Sequence, residues 1–161
     1  MIKQAESLFH ALLLSGLSLM IVACSNAVAA SQVPTDTPQL RAAANIVDAV
    51  NNKDAQQYIR DLHPEVIVKM YDGDIRLSGV EAVLDNRTQH FLSHPEAHNA
   101  LIHLVEIDNR VVMHDMVWLN GKTDGDGSNI VEVFTFEDGL IKQIDVLQPS
   151  QLFQPTSETE E

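Results

Sequence analysis

Residues 99–147 read NALIHLVEI (99–107), DN (108–109), RVVMHDMVWL (110–119), NGKTDGDGS (120–128), NIVEVFTFE (129–137), DG (138–139) and LIKQIDVL (140–147). Four runs rich in β-branched and apolar residues alternate with turn residues, the pattern of an antiparallel meander. Asp138-Gly139 is a two-residue hairpin signal. Asp108-Asn109 is another, because both residue types tolerate the positive φ such turns need. Pairing Ile107 with Arg110 sets the register of the first hairpin. His103 then faces His114, Val105 faces Val112, and Leu101 faces Met116. The other face carries Ile102, Leu104 and Glu106 against Val111, Met113, Asp115 and Val117. Both faces are rich in apolar side chains, whereas a sheet with one wet face alternates more cleanly. The expectation is a cover on each side.

Upstream, Thr37-Pro38 is a helix start, a cap residue followed by proline. Leu40, Ala43, Ile46, Val47 and Val50 then recur at helical spacing, predicting a helix from Pro38 to about Asn51. Asp54 caps a second, short helix that runs through Leu62 and buries Ala55, Tyr58 and Ile59; His63-Pro64 ends it. Val66 to Met70 reads as a strand, and Tyr71-Asp72-Gly73-Asp74 as a turn into Ile75-Arg76-Leu77. Ser78 with Glu81 three residues on is a capping box for a third helix, with Val80, Val83, Leu84, Phe91 and Leu92 on its apolar side and Pro95 beyond its end.

Residues 1–23 read as an export signal. The apolar run from Ala11 to Ala23 is short for a membrane span and suits a signal-peptide core. It ends in Ile21-Val22-Ala23-Cys24, which resembles a bacterial lipobox. Only a thiol can take the diacylglyceryl thioether, and two or more acyl chains anchor stably where one is marginal. Cleavage after Ala27-Val28-Ala29-Ala30 is the competing reading. Ser25, next after the cysteine, resembles the residue found in lipoproteins sent on to the outer membrane. The expected address is therefore the bacterial cell envelope, on the periplasmic side, with the membrane reached only through an N-terminal lipid anchor at Cys24. Residues 24–37 read as a flexible tether, 38–148 as the folded domain, and 149–161 as a fraying acidic tail.

With Lys and Arg totalling 10 against 23 Asp and Glu, the formal net charge is -13. Phosphate backbones are bound by clustered cations, so nucleic acid is not an expected partner. A single cysteine excludes an internal disulfide. No glycine-rich phosphate loop or nucleophile elbow is present, and no cofactor is expected.

Helix, short helix, strand, helix, then a four-stranded meander is an α+β plan with helices gathered on one side. IVDAVNNKDAQQYIRDLHPEVIV, LSGVEAV and EVFTFEDGLIKQIDV resemble the SnoaL-like branch of the nuclear transport factor 2-like superfamily over about residues 39–148. The resemblance implies a cone-shaped α+β barrel, three N-terminal helices packed on a curved antiparallel sheet. It also implies a homodimer through the outer sheet face. Members include ketosteroid isomerases, polyketide cyclases, dehydratases and non-catalytic binding modules. Laid on this chain, the isomerase pattern puts its tyrosine at Ile46 and its base at Met70; only its second acid has a counterpart, Glu132. Steroid isomerase chemistry is therefore not carried over. The same comparison points Met113, Asp115, Val117, Glu132 and Phe134 into the cone. The expected ligand pocket is Ile46, Leu62, Met70, Phe91, Met113, Val117 and Phe134.

Asp115 and Glu132 lie on strands expected to be neighbours. Two carboxyls in an apolar cavity cannot both ionise cheaply, which makes one an acid and the other a base. The bland alternative is a solvated pair at the cavity mouth, or one salt-bridged to Arg87 or Arg76. The expected function is binding of a small apolar or carbonyl-bearing molecule. Isomerase-, cyclase- or dehydratase-type turnover is the first alternative, and a non-catalytic envelope interaction module the second. Leu101, His103, His114, Met116 and Trp118 form an apolar outer patch, the expected dimer interface. His90, His94 and His98 are spaced four apart, but Pro95 interrupts the helix, so no metal site is expected. Asp124-Gly125-Asp126-Gly127-Ser128 imitates the start of a calcium loop, but its sixth residue is Asn129 rather than glycine, so it reads as a hairpin tip.

Overall fold

The computed structural model describes residues 36–149. The lipobox, Cys24, most of the tether and the tail beyond Pro149 lie outside the described residues. Three helices precede and interrupt a six-stranded sheet. They are α1 (Pro38–Asn52), α2 (Ala55–Ile59) and α3 (Val80–Ser93). The strands are β1 (Leu62–Met70), β2 (Ile75–Ser78), β3 (His98–Ile107), β4 (Arg110–Trp118), β5 (Ser128–Glu137) and β6 (Leu140–Leu147). Their spatial order is β2-β1-β6-β5-β4-β3. Among the described residues no helix is long and apolar enough to cross a membrane.

The meander forms as its turns dictate. Asp138 and Gly139 take φ of 51° and 82°, the paired positive values of a tight hairpin turn. At the other hairpin only Asp108 is positive, at 54°. Asn109 is instead tied to β5, accepting from the Phe136 N–H at 2.8 Å and donating its side-chain amide to the Phe136 carbonyl at 3.2 Å. Ile107 pairs with Arg110, His103 with His114, and Val105 with Val112. The register then slips between Leu101 and His103, so Leu101 pairs with Asp115 rather than with Met116. A bulge at Ile102 supplies the extra residue and reverses the facing of everything before it. Leu101 consequently packs against the core.

Three further expectations are corrected. α2 ends at Ile59, and Leu62 begins β1. His63-Pro64 therefore lies inside a strand. The pairing of β1 with β6 is irregular between Leu62 and Ile67, the sort of bulge where a proline with no N–H is tolerated. That pairing is parallel, making the sheet mixed rather than wholly antiparallel. Ser78 closes β2 and does not cap α3; Gly79 takes the cap position at φ 85° with no side-chain bond.

The helices cover one face of the sheet. Thr37 caps α1, its hydroxyl oxygen accepting from the Leu40 N–H at 3.2 Å. Ala43, Ile46, Val47 and Val50 of α1 are buried in one core with Val111, Met113, Phe134, Phe136 and Ile144 of the sheet. α2 is locked to α1 reciprocally. Asn45 donates to the Gln57 carbonyl and accepts from the Gln57 side-chain amide, both at 2.9 Å. Among the described residues no helix covers the opposite face of the sheet, and Val105 and Ile107 are 51% and 57% exposed there.

Candidate active site

Between α1, α2 and α3 and the inner face of the sheet lies a cavity of about 490 Å³, within the range of about 300–1,000 Å³ usual for small-molecule sites. Asp115 and Glu132 both line it. Asp115 on β4 pairs with Ile130 on β5, and Glu132 pairs with Met113. The two acids are therefore diagonal neighbours on one face of adjacent strands. Around them stand apolar Ile46, Val50, Val68, Met70, Ile130 and Ile144, and polar Tyr58, Asn99, Arg87 and His90.

A short polar chain holds Asp115. The Asn51 side chain at the end of α1 donates to the Asn99 carbonyl at 2.9 Å and accepts from the Asn99 N–H at 2.8 Å. The Asn99 side-chain amide then donates to Asp115 Oδ2 at 2.6 Å. Asp115 is 2% exposed. Its Oδ1 and the Asn99 Oδ1 are buried with no hydrogen-bond partner among the described residues. Unpaired buried acceptors are costly, so each is a place where a donor on a bound molecule gains most.

Burial raises the Asp115 pKa to about 6, against the opposing hydrogen bond from Asn99 and the positive influence of His114. Burial also raises Glu132, to about 8, with the Asp115 charge adding and Arg87 opposing. Glu132 keeps partial exposure on the cavity wall. The charge of each opposes ionisation of the other, so the two titrate as a pair. Neither carboxyl forms an ion pair with Arg87 among the described residues. Tyr58 is buried, and burial pushes its pKa above the ordinary tyrosine range, keeping it a proton donor. The Arg87 guanidinium lies 5.3 Å from the centre of the Tyr58 ring. His90 is driven the other way, to about 4, by burial and then by Arg87, and is a neutral imidazole at pH 7.

Of the seven expected pocket residues, Ile46 and Met70 line the cavity. Leu62, Phe91, Met113 and Phe134 are core packing behind it, and Val117 is buried without lining it. The three histidines separate: His90 stacks on His94 at 4.7 Å, while His98 on β3 sits 6.1 Å from the Trp118 ring. Among the described residues no group of three or more His, Cys, Asp or Glu side chains is arranged to hold a metal. On the outer face the His103 and His114 rings are 5.6 Å apart. Trp118 is taken up by its own hairpin loop, donating to the Gly125 carbonyl at 2.9 Å. Sequence reading left Tyr58 and Asn99 out of the site and named Arg87 only as a salt-bridge partner for the acids. Tyr58 looked like one more core position of α2, and the bulge at Ile102 hid the inward facing of Asn99.

A domain with this sheet order, its helices on one face and acids on the cavity floor is a nuclear transport factor 2-like α+β barrel. The chain belongs to the SnoaL-like domain family, whose model matches residues 43–144. It is similar to a cystatin-fold protein from Novosphingobium aromaticivorans, with TM-score 0.62 and 21% identity over 68% of this chain and 97% of that one. A nuclear transport factor 2-like protein from Cytophaga hutchinsonii gives TM-score 0.58 and 17% identity over 77% and 98%. A proposed SnoaL-like polyketide cyclase from Jannaschia sp. CCS1 gives 0.59 and 13% over 75% and 92%. No protein of curated function matches the sequence.

Proposed function

We propose that this domain binds a small, largely apolar, carbonyl-bearing molecule and moves a proton on it, as an isomerase, cyclase or dehydratase does, using its own side chains. One observation carries the reading: a single cavity places two carboxyls side by side on adjacent strands, Asp115 with one oxygen unpartnered among the described residues, where burial raises the pKa of both. Asp115, with Oδ1 unpartnered, takes a proton from carbon beside the carbonyl. Glu132 donates to the carbonyl oxygen as charge develops there, and Tyr58 is a second donor on the same cavity. The family likeness supports the reading, since one similar structure is a proposed polyketide cyclase. The test is solvent deuterium exchange into a panel of apolar ketones. Wild type should catalyse exchange, and Asp115→Asn should abolish it with little change in melting temperature. No exchange above buffer with any bound ketone would defeat the proton-transfer reading.

The same proposal includes an address and a partner. Residues 1–23 export the chain and Cys24 anchors it by lipid at the periplasmic side of the outer membrane, supported by the apolar run that ends in Ile21-Val22-Ala23-Cys24. A second copy covers the outer sheet face around His103, His114 and Val105, supported by the exposure of Val105 and Ile107.

A further inference from the structure

We infer that the cavity takes an anionic ligand, a small apolar molecule carrying a carboxylate, and that Arg87 selects it. This rests on the proposed reading of the cavity and names the class of molecule that fits it. Cations are scarce in a chain of net charge -13, with 10 Lys and Arg in all. Two of the ten, Arg76 and Arg87, line this one cavity. Arg87 is half-buried on α3. Its Nε and Nη2 donate to Asn86 Oδ1, at 3.1 and 2.6 Å. That acceptor is neutral, and among the described residues no carboxylate comes within ion-pair distance of Arg87. A guanidinium has five N–H donors in a fork that matches a carboxylate. Beyond the Tyr58 ring at 5.3 Å, Arg87 thus has no carboxylate counter-ion at ion-pair distance among the described residues, in a partly desolvated wall where a charged hydrogen bond counts for more than in water.

The cavity is polarised accordingly. Asn86, Arg87 and His90 of α3 line one wall, and Asp115 and Glu132 of β4 and β5 line another. Apolar Ile46, Ile130 and Ile144 line it as well. A molecule with a carboxylate at one end and a carbonyl along an apolar body satisfies both walls. The carboxylate meets Arg87, and the carbonyl and its adjacent carbon meet the acids. His90, neutral, adds no competing cation on the Arg87 wall.

The test uses a series of phenyl-bearing keto acids of increasing chain length, each beside its methyl ester, titrated calorimetrically into wild type, Arg87→Gln and Arg87→Lys. In wild type the best acid should bind roughly tenfold to a hundredfold tighter than its ester, the worth of a charge-assisted hydrogen bond. Arg87→Gln should bring the acid-to-ester ratio close to one while the ester still binds, and Arg87→Lys should recover part of it. At pH 8 acid binding should also take up protons, because an anion on Arg87 cancels the charge that holds Glu132 down. Esters that bind wild type as well as acids do, or an acid preference that survives Arg87→Gln, would overturn this inference and leave the proposed function standing. Failure of both acids and esters to bind would overturn the two together.

Discussion

The Asn99 side-chain amide lies 2.6 Å from Asp115 Oδ2, and the other carboxylate oxygen is buried without a partner. One oxygen is stabilised in its charged form while the second stays available as a base. Asn99→Ala removes the stabilising donor but keeps the backbone groups that Asn51 holds. A hydrogen bond to a charged group is worth about 1.5–3 kcal/mol, so the acidic limb of the pH–rate profile should move alkaline by about one pH unit or more. A merely structural Asn99 would lower stability and leave that limb where it was.

Stability should fall as pH rises through the slightly acid to slightly alkaline range. Asp115 and Glu132 have folded pKa values raised to about 6 and about 8, from 3.8 and 4.5. Between the unfolded and folded values the native state holds more protons than the unfolded chain, so raising pH favours unfolding. His90 works in the opposite sense: its folded pKa is about 4 against 6.5, so through that window the unfolded chain gains protons as pH falls, which offsets part of the slope of the two acids. Urea midpoints measured from pH 4 to pH 9 should therefore decline, less steeply below about pH 6.5 than the two acids alone would make them. Glu132→Gln should remove most of the decline above about pH 6, where Asp115 is largely ionised. An alkaline slope unchanged by Glu132→Gln would show that this carboxyl is not held protonated by the fold.

How far the sequence carried depends on where local rules act. The turns at Asp108 and Asp138, the Thr37 cap and the apolar stripe of α1 are local, and each was legible from residue type and spacing. The family resemblance implied the inward facing of Asp115 and Glu132, and this agreed with the period-two alternation of an unbroken strand. That alternation fails at a bulge. One extra residue at Ile102 turned Leu101 from the outer face to the core and brought Asn99 round to Asp115, and no turn residue announces it. The parallel partnership of β1 and β6 was equally hidden, since it joins segments far apart in the chain. Tyr58 became a site residue, and Arg87 something other than a salt-bridge partner for the acids, only when α2 and α3 packed together over the cavity.

The proposed anchor at Cys24 predicts a clean separation of compartments. Lipid attachment needs the thiol, so wild type expressed in a Gram-negative host should sediment with membranes and be released by detergent. Cys24→Ser should sever that link, leaving protein that is either unprocessed or soluble in the periplasm. Acyl chains add about 0.8 kcal/mol of membrane affinity per buried methylene, so two or three chains leave little unbound. Unchanged membrane partition of Cys24→Ser after removal of the signal segment would refute lipid anchoring.

The outer face predicts a dimer, and the loop at Gly125–Gly127 decides which substitution tests it. Trp118 is the largest side chain of the expected patch, but it bonds the Gly125 carbonyl, and a Cβ at Gly127 would lie 2.6 Å from Met116 and 2.8 Å from the Trp118 ring. An aspartate at Trp118 would disturb that loop as well as any interface. Val105 is cleaner: it is 51% exposed, pairs with Val112, and lies next to the His103–His114 pair on the same face. A charge there costs the isolated chain little, within about 0.5 kcal/mol for an exposed site, yet would be buried unpaired in an interface. Sedimentation equilibrium at micromolar concentration should show a wild-type dimer and a Val105→Asp monomer, with the same melting transition at low concentration. A wild type already monomeric at that concentration removes the second copy from the outer face and leaves the acid pair and its cavity untouched.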